Sequence, residues 1–258
     1  MTQTHLHIAA QYLASAADLV LPKEDDDNHR NFAWNPITSA LETHYFSDQH
    51  LRMVLSYEDF ALFFVNQNNE ILVEFDLGGS KHSEVIAWIE RSWKELNLKG
   101  NFRFHWPENL PLKAIDAHYT FPKPDEDLFE MLEIYAEERT MAQRAMIDAI
   151  KPNNIRVWPH HFDTGALEVL EMDEKGELLM SISSGLAIAD DLVNEDYCYV
   201  SGWKKSGKIG LNTALPCGEG TWLDEGHFQG AVLKMLDPEP EMLKTFFEEA
   251  HASMKSLF

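Results

Sequence analysis

The sequence predicts an α+β protein with a mainly antiparallel β-sheet and long helices packed on it. Three observations predict this class: runs of alternating apolar residues, turn-forming residues between the runs, and apolar stripes with helical spacing. The βαβ rhythm of a parallel sheet is missing from the pattern. In each half of the chain strands come before a helix, so two similar β-then-α halves remain an open alternative, although no sequence repeat relates them.

The first half begins with a predicted helix over residues 3–20, because Ile8, Tyr12 and Leu19 recur mostly at spacings of three, four or seven. A predicted meander of three strands follows, in the segments "LRMVLSY", "FALFFV" and "ILVEFDL", with turns at Glu58 and in "NQNNE". The segment "GGS" ends the meander. A second helix is predicted over residues 81–96, with its apolar stripe at Val85, Ile89, Trp93 and Leu96.

The second half follows a connector rich in proline and asparagine and a predicted short strand, "AIDAHYTF". A helix is predicted over 127–150, and Pro152 stops it. Strands are predicted in "IRVW", "HFDTGALEVLEM", "ELLMSISS", "DYCYVSGW" and "HFQGAVLKML". The last helix is predicted over 238–257, with Asp237 as its cap and Pro238 at its first position. We expect one continuous unit, 1–258, with 1–100 and 151–258 as alternative halves joined by the connector and a helix.

The composition excludes several classes of partner. The 258 residues include 43 Asp and Glu but 21 Lys and Arg, which gives a net charge of −22. Such a surface repels phosphate backbones, so we expect no nucleic-acid or anionic-membrane partner. The first basic residue is Lys23, no apolar run approaches a membrane span, and the two cysteines form no CxxC motif. A reduced, cytoplasmic protein is therefore expected, and its oligomeric state is left open.

The stretch "VWPHHFDTGALEV", residues 157–169, is the main candidate for a functional site. Pro159 favours extended backbone before it, so His161 and Asp163 are expected to point the same way along a strand. Leu167 and Val169 lie on the same predicted face, which makes that face the inward one. A carboxylate near a core needs a partner, because burying an unpaired charge costs several kcal/mol.

A second strand carries the same pattern. In "WLDEGHFQGAVLKM", Glu225 and His227 share a face if the segment is extended, and they are expected to complete the site. Trp158 would line the pocket, and His160, on the opposite face, would support it by a hydrogen bond. A third pair of acid and imidazole, Asp116 and His118, lies in "AIDAHYTF".

These groups suit three different functions. As ligands, His161, Asp163 and His227 would bind a divalent transition metal such as zinc, iron or manganese, as in a metal-dependent enzyme acting on a small molecule. As acid–base groups, His161 and Asp163 would be catalytic without a metal. The alternatives are a non-catalytic module that binds a small molecule in an aromatic-lined pocket, and a His–Asp pair with only a structural role. The sequence names neither a reaction nor a cofactor beyond that metal.

The chain also resembles a bacterial family of unknown function. The resemblance rests on the core motif Trp-Pro-His-His-Phe-Asp, residues 158–163, together with "FAWNP", "SSGLAIADD", "YCYVSGW" and "GHFQGAVL" before the C-terminal helix. It covers most of the chain and implies one continuous unit. It implies no activity and no cofactor.

Overall fold

The computed structural model describes residues 2–46, 50–107 and 110–258, and within them the chain forms four α-helices. They are α1 (Thr2–Val20), α2 (His82–Glu95), α3 (Glu126–Ile150) and α4 (Pro240–Ser256). All four predicted helices are confirmed, and their ends agree with the prediction to within two residues. No helix of the described part of the chain is both long and apolar enough to cross a membrane.

The chain divides into two compact units. The first comprises residues Met1–Glu137 and Val157–Phe162, and the second comprises Glu138–Arg156 and Asp163–Phe258. The boundary therefore falls inside α3 and again between Phe162 and Asp163. The predicted half 1–100 lies within the first unit. The predicted half 151–258 lies within the second unit except for residues 157–162.

The first unit contains a five-stranded antiparallel sheet with the strands in chain order. The strands are β1 (Ala33–Asn35), β2 (Ala40–Glu42), β3 (Arg52–Ser56), β4 (Ala61–Val65) and β5 (Ile71–Asp76). The predicted meander corresponds to β3, β4 and β5, and it is confirmed. All five residues of β4 are buried, because this strand is covered on both faces.

Helix α1 is buried on all sides from Leu6 to Ala17, and its many alanines allow this close packing. Two polar residues, His7 and Gln11, lie within the buried stretch. Both use a side-chain nitrogen to bond the carbonyl oxygen of Pro159, each at 2.8 Å. These bonds pair one buried side-chain nitrogen of each residue, which would destabilise the core if it were left unpaired.

A six-stranded antiparallel sheet in the order β10-β11-β9-β8-β7-β6 belongs to the second unit, apart from Val157 at the end of β6, which falls in the first unit. The strands are β6 (Arg156–Val157), β7 (Thr164–Met172), β8 (Leu178–Ala187), β9 (Tyr197–Lys204), β10 (Thr221–Glu225) and β11 (Phe228–Lys234). Helix α4 packs on one face of this sheet, and its Phe246 and Phe247 are fully buried against residues such as Ile182 and Val200. The two antiparallel sheets and their helices confirm the α+β class.

Two local predictions are wrong. Helix α4 is not capped by Asp237 but begins at Pro240, with Glu239 as its N-cap. The ring of Pro240 forces Glu239 into extended backbone, so the helix cannot begin at Pro238. The segment "AIDAHYTF" forms no strand, because the Asp116 side chain accepts the N–H groups of His118 and Tyr119 and turns the chain.

Candidate functional site

The motif around His161 forms a turn instead of the predicted strand. Residues 159–161 turn, and the backbone N–H of Phe162 donates to the carbonyl oxygen of Trp158 at 2.7 Å. Phe162 has a left-handed φ of 59°, which breaks the alternation of side chains between His161 and Asp163. His161 is exposed to solvent, and strand β7 begins only at Thr164.

The predicted inward face of β7 is also wrong. Leu167 is 56% exposed and Val169 is 41% exposed, whereas Thr164 is fully buried and Ala166 is buried. The buried residues face the core that contains α4, and Leu167 and Val169 lie on the other face of the sheet. Apolar residue type misled the prediction, since a half-covered sheet exposes some large apolar side chains.

Aromatic contacts surround the two histidines of the motif. The ring of His160 lies edge-on to Trp158, with centroids 6.0 Å apart, and edge-on to His161 at 4.7 Å. His160 and His161 are exposed, while Trp158 is partly buried. Within the first unit, the buried side chain of Phe162 stacks on His7 with centroids 4.8 Å apart. The motif is therefore fixed by Phe162 and by the carbonyl oxygen of Pro159.

Asp163 belongs to the second unit, where it has a tyrosine partner. The hydroxyl of Tyr199 donates to Oδ2 of Asp163 at 2.8 Å. Burial, followed by the charge of Asp163, raises the pKa of Tyr199 well above its usual value, so the phenol stays protonated. The ring of Tyr199 crosses two glycines, Gly165 and Gly185, which lie in register on β7 and β8. A Cβ on either glycine would lie 2.8 Å from the Tyr199 hydroxyl.

Glu225 and His227 do not share a strand face. Gly226 and His227 form the two-residue loop between β10 and β11, and Gly226 has a φ of 58°. A glycine with positive φ in the first loop position suits a type II′ hairpin turn. Glu225 and His227 are both exposed. The extended reading of this segment is therefore wrong.

The predicted metal ligands, His161, Asp163 and His227, are not assembled into a metal site. Across residues 2–46, 50–107 and 110–258, no group of three or more His, Cys, Asp or Glu side chains has the geometry to hold a metal ion. His161 lies in the first unit, and the other two residues lie in the second.

The first unit contains a cluster of paired histidines and tyrosines that the sequence did not single out. Nδ1 of His5 lies 2.5 Å from the hydroxyl of Tyr119, and Nδ1 of His82 lies 2.7 Å from the hydroxyl of Tyr12. His5 and Tyr12 are seven residues apart on α1 and so lie on one side of it. The ring of Phe121 packs between the pairs, with centroids 5.1 Å from Tyr119 and 6.3 Å from Tyr12.

The environment keeps these four side chains uncharged at neutral pH. Burial lowers the pKa of His5 and of His82, and Asp116 opposes only part of the shift at His82. Burial also raises the pKa of Tyr12 and of Tyr119 far above its usual value. Each pair is therefore a hydrogen bond between a neutral imidazole and a neutral phenol, which can orient a ligand without adding charge.

An open cleft of about 590 Å³ lies beside this cluster, and we call it the α1 cleft. Its walls come from one turn of α1 and from the segment 112–119, which contains the Asp116 turn. The lining residues are Thr4, Ile8, Leu112, Lys113, Ala114, Ile115, Asp116, His118 and Tyr119. Tyr119 thus contacts both the cleft and His5. Asp116 and His118, the third predicted pair, lie at its wall.

A second group of titratable residues lies in the second unit, on the helical side of its sheet. Glu138 of α3 shares a hydrogen bond with Asp196, and the neighbouring Arg139 is buried and donates to Oγ1 of Thr164 at 2.5 Å. Burial, followed by the charge of Asp196 and this hydrogen bond, raises the pKa of Glu138 to about 8. Glu138 therefore keeps its proton at neutral pH and uses it in the hydrogen bond to Asp196.

These groups join positions far apart in the chain, so local spacing could not reveal them. His5 and Tyr119 are separated by 114 residues, and Tyr12 and His82 by 70. The one local signal was that all four residues lie in a helix or beside the Asp116 turn.

No family model, no curated protein and no solved structure matches this chain. The resemblance to the bacterial family with the Trp-Pro-His-His-Phe-Asp core stays a prediction.

Proposed function

We propose that the protein is a cytoplasmic binding protein for a small molecule, which it binds in the α1 cleft. The observation that carries this proposal is the position of Tyr119, which lines the cleft while His5 holds its hydroxyl group. The cytoplasmic location is supported by Cys198 and Cys217, which are free, buried thiols. A fixed hydroxyl beside an apolar surface is typical of sites that orient a ligand.

The lining of the cleft favours a small carboxylate or carbonyl compound with a short apolar chain. Ile8, Leu112 and Ile115 offer apolar surface to the chain of such a ligand. Lys113 offers a positive charge to its oxygen atoms. Tyr119 offers a hydroxyl donor when Nδ1 of His5 carries the proton and donates to the phenol oxygen. The Asp116 carboxylate competes little for these donors, since its Oδ1 already accepts two backbone N–H groups.

Binding fits this cluster better than acid–base catalysis does. A catalytic acid or base works best with a pKa near the working pH. Burial instead raises the pKa of Tyr119 and lowers the pKa of His5. Both shifts move the pKa away from neutral pH and keep the group uncharged. Groups with such values donate or accept hydrogen bonds but exchange protons poorly with a ligand. The metal-dependent alternative lacks an assembled set of ligands in the described residues.

Isothermal titration calorimetry with three ligands of equal chain length tests the proposal: hexanoate, hexanamide and hexylamine. We expect hexanoate to bind most tightly and hexylamine not to bind in the α1 cleft. The substitution Ala114→Trp fills the cleft and should abolish binding. Ala117→Trp is the matched control, because Ala117 is exposed on the same segment and does not line the cleft.

Loss of one hydrogen bond in Tyr119→Phe should weaken hexanoate binding by roughly three- to tenfold. Equal binding by the Ala114→Trp variant, or preference for hexylamine, would contradict the proposal. Elemental analysis of the purified protein tests the metal-dependent alternative. A near-stoichiometric transition metal that is lost in His161→Ala would overturn the binding proposal in favour of a metal enzyme.

A further inference from the structure

The second unit contains an open cleft of about 640 Å³, which we call the β11 cleft. It lies beside strands β10 and β11 and the loop that leads into β9. The lining residues are Asp190, Asp191, Leu192, Val193, Asn194, Glu219, Thr221, Leu223, Glu225, Val232, Leu233, Lys234, Leu236 and Met242. Its volume is within the range of small-molecule sites.

The floor of the β11 cleft is aliphatic. Val193 and Val232 are buried and pack with Tyr197 in one small core cluster, and Leu192 and Leu223 pack against that cluster. At the mouth, Leu236 is 62% exposed. A ligand with a methylene chain would therefore bury apolar surface along the whole floor, which is the main source of affinity for a small apolar ligand.

The rim of the cleft is negatively charged. Three lining carboxylates, those of Asp191, Glu219 and Glu225, form no ion pair with any Lys, Arg or His of the described residues. The one lining cation, Lys234, is already paired with Glu195 at 2.8 Å. A positively charged ligand would thus meet several carboxylates that lack a counter-charge.

The loop wall of the cleft is ordered before any ligand binds. Oδ1 of Asp190 accepts the N–H groups of Leu192 and Val193, at 2.8 and 3.0 Å. Oδ2 of Asp190 accepts the hydroxyl of Tyr197 at 2.9 Å, and Oδ1 of Asp196 accepts the N–H of Ala189 at 2.8 Å. Binding would therefore not need to order this loop, which lowers the entropic cost of association.

We propose that the β11 cleft binds an aliphatic diamine or polyamine. The methylene chain lies along the aliphatic floor, and the ammonium groups lie at the carboxylates of the rim. This site is separate from the α1 cleft, which favours a ligand of the opposite charge. The assignment gives a role to Glu225, which the sequence predicts to lie in a pocket with His227.

Calorimetric titration with 1,6-diaminohexane tests the proposal, at an ionic strength of about 0.15 M so that diffuse attraction to the acidic surface is screened. The neutral analogue 1,6-hexanediol has the same chain and should bind far more weakly. The double variant Glu219→Gln/Glu225→Gln removes two rim charges. Glu171→Gln/Glu174→Gln is the control, since it removes two exposed carboxylates from the β7–β8 hairpin of the same unit.

We expect the rim variant to bind the diamine about fivefold more weakly than the wild type, because it loses two exposed ion contacts. The control variant should bind the diamine as tightly as the wild type does. Methyl NMR signals of Val193, Leu223 and Val232 should shift on binding. Equal weakening in both double variants would overturn the proposal, because it would show diffuse binding to an acidic surface. Absence of diamine binding to the wild-type protein, or methyl shifts elsewhere only, would overturn it as well.

Discussion

The proton that Glu138 keeps beside Asp196 predicts a defined dependence of stability on pH. A glutamate in an unfolded chain has a pKa of about 4.5, whereas in the folded protein burial and the charge of Asp196 raise the pKa of Glu138 to about 8. Between these values the folded protein keeps a proton that the unfolded chain has released. Unfolding then releases one proton, so the stability that this group contributes is complete below pH 4.5 and is lost as the pH rises towards 8.

The substitution Glu138→Gln isolates this effect. Its amide can still donate to Asp196, but it has no proton to lose, so the variant should not show this decline in stability. One linked proton changes the free energy of unfolding by about 1.4 kcal/mol per pH unit. Because Glu138 is only partly buried, solvent screening reduces its pKa shift and narrows the pH range over which this slope applies, and we expect a total effect of about 1–2 kcal/mol between pH 5 and pH 8. The variant should match the wild type near pH 5 and exceed its stability near pH 8.

Urea unfolding followed by circular dichroism, at several pH values between 5 and 8, measures this difference. Glu137→Gln is the matched control, since Glu137 is the exposed neighbour on the same helix. A constant m-value across the series shows that the same unfolding transition is compared. Parallel stability profiles for the wild type and Glu138→Gln would refute the reasoning. So would a carboxyl NMR titration of Glu138 with its midpoint near 4.5.

Three further substitutions test contacts of the fold, each by urea unfolding. Tyr199→Phe removes the hydroxyl that donates to Asp163 and should lower the free energy of unfolding by about 1–3 kcal/mol; unchanged stability would contradict a role for that bond. Gly185→Ala would place a Cβ 2.1 Å from the carbonyl oxygen of Thr164 and should lower the free energy of unfolding by about 3 kcal/mol or more. A variant as stable as the wild type would exclude this close approach. Asp125→Ala removes the side chain that accepts the N–H of Leu128 at the start of α3, and it should lower the free energy of unfolding by about 1 kcal/mol. An unchanged free energy of unfolding would mean that solvent replaces this cap equally well.

Several elements that the sequence predicted correctly bury a continuous apolar face. In α2, Val85, Ile89 and Trp93 recur at helical spacing, and all three are buried. In β3, Met53 and Leu55 alternate with their neighbours and are fully buried. Such patterns are visible in a single sequence because the period of side chains along the backbone is fixed by the helix or strand itself.

Two of the errors arose where one residue changed the direction of the chain. Gly226 has a positive φ and turns the chain between Glu225 and His227. An extended backbone, as predicted, would have put these two side chains on one face. Pro240 shifts the start of α4 past Asp237 because the residue before a proline is held extended. In each case the surrounding pattern was correct and a local backbone preference decided the outcome.

The candidate site was the least predictable part of the molecule. The α1 cleft depends on His5 and Tyr119, which the fold brings together from opposite ends of the first unit's main segment. The pair formed by Glu138 and Asp196 likewise joins a helix to the start of a strand. No periodicity encodes such contacts, since they depend on how elements pack and not on how each forms.

Phe162 explains why the motif Trp-Pro-His-His-Phe-Asp forms a turn. The sequence predicted a strand there because Pro159 favours extended backbone before it. Left-handed backbone costs a bulky residue about 1–2 kcal/mol. Phe162 regains more than this, because its side chain is 1% exposed and stacks on His7, and removing a buried phenylalanine side chain costs about 3–5 kcal/mol. Bonds from His7 and Gln11 to the carbonyl oxygen of Pro159 hold the same turn from α1. Burial of this aromatic ring therefore outweighs the backbone penalty. As a result, His161 lies in a turn and not on the predicted strand with Asp163.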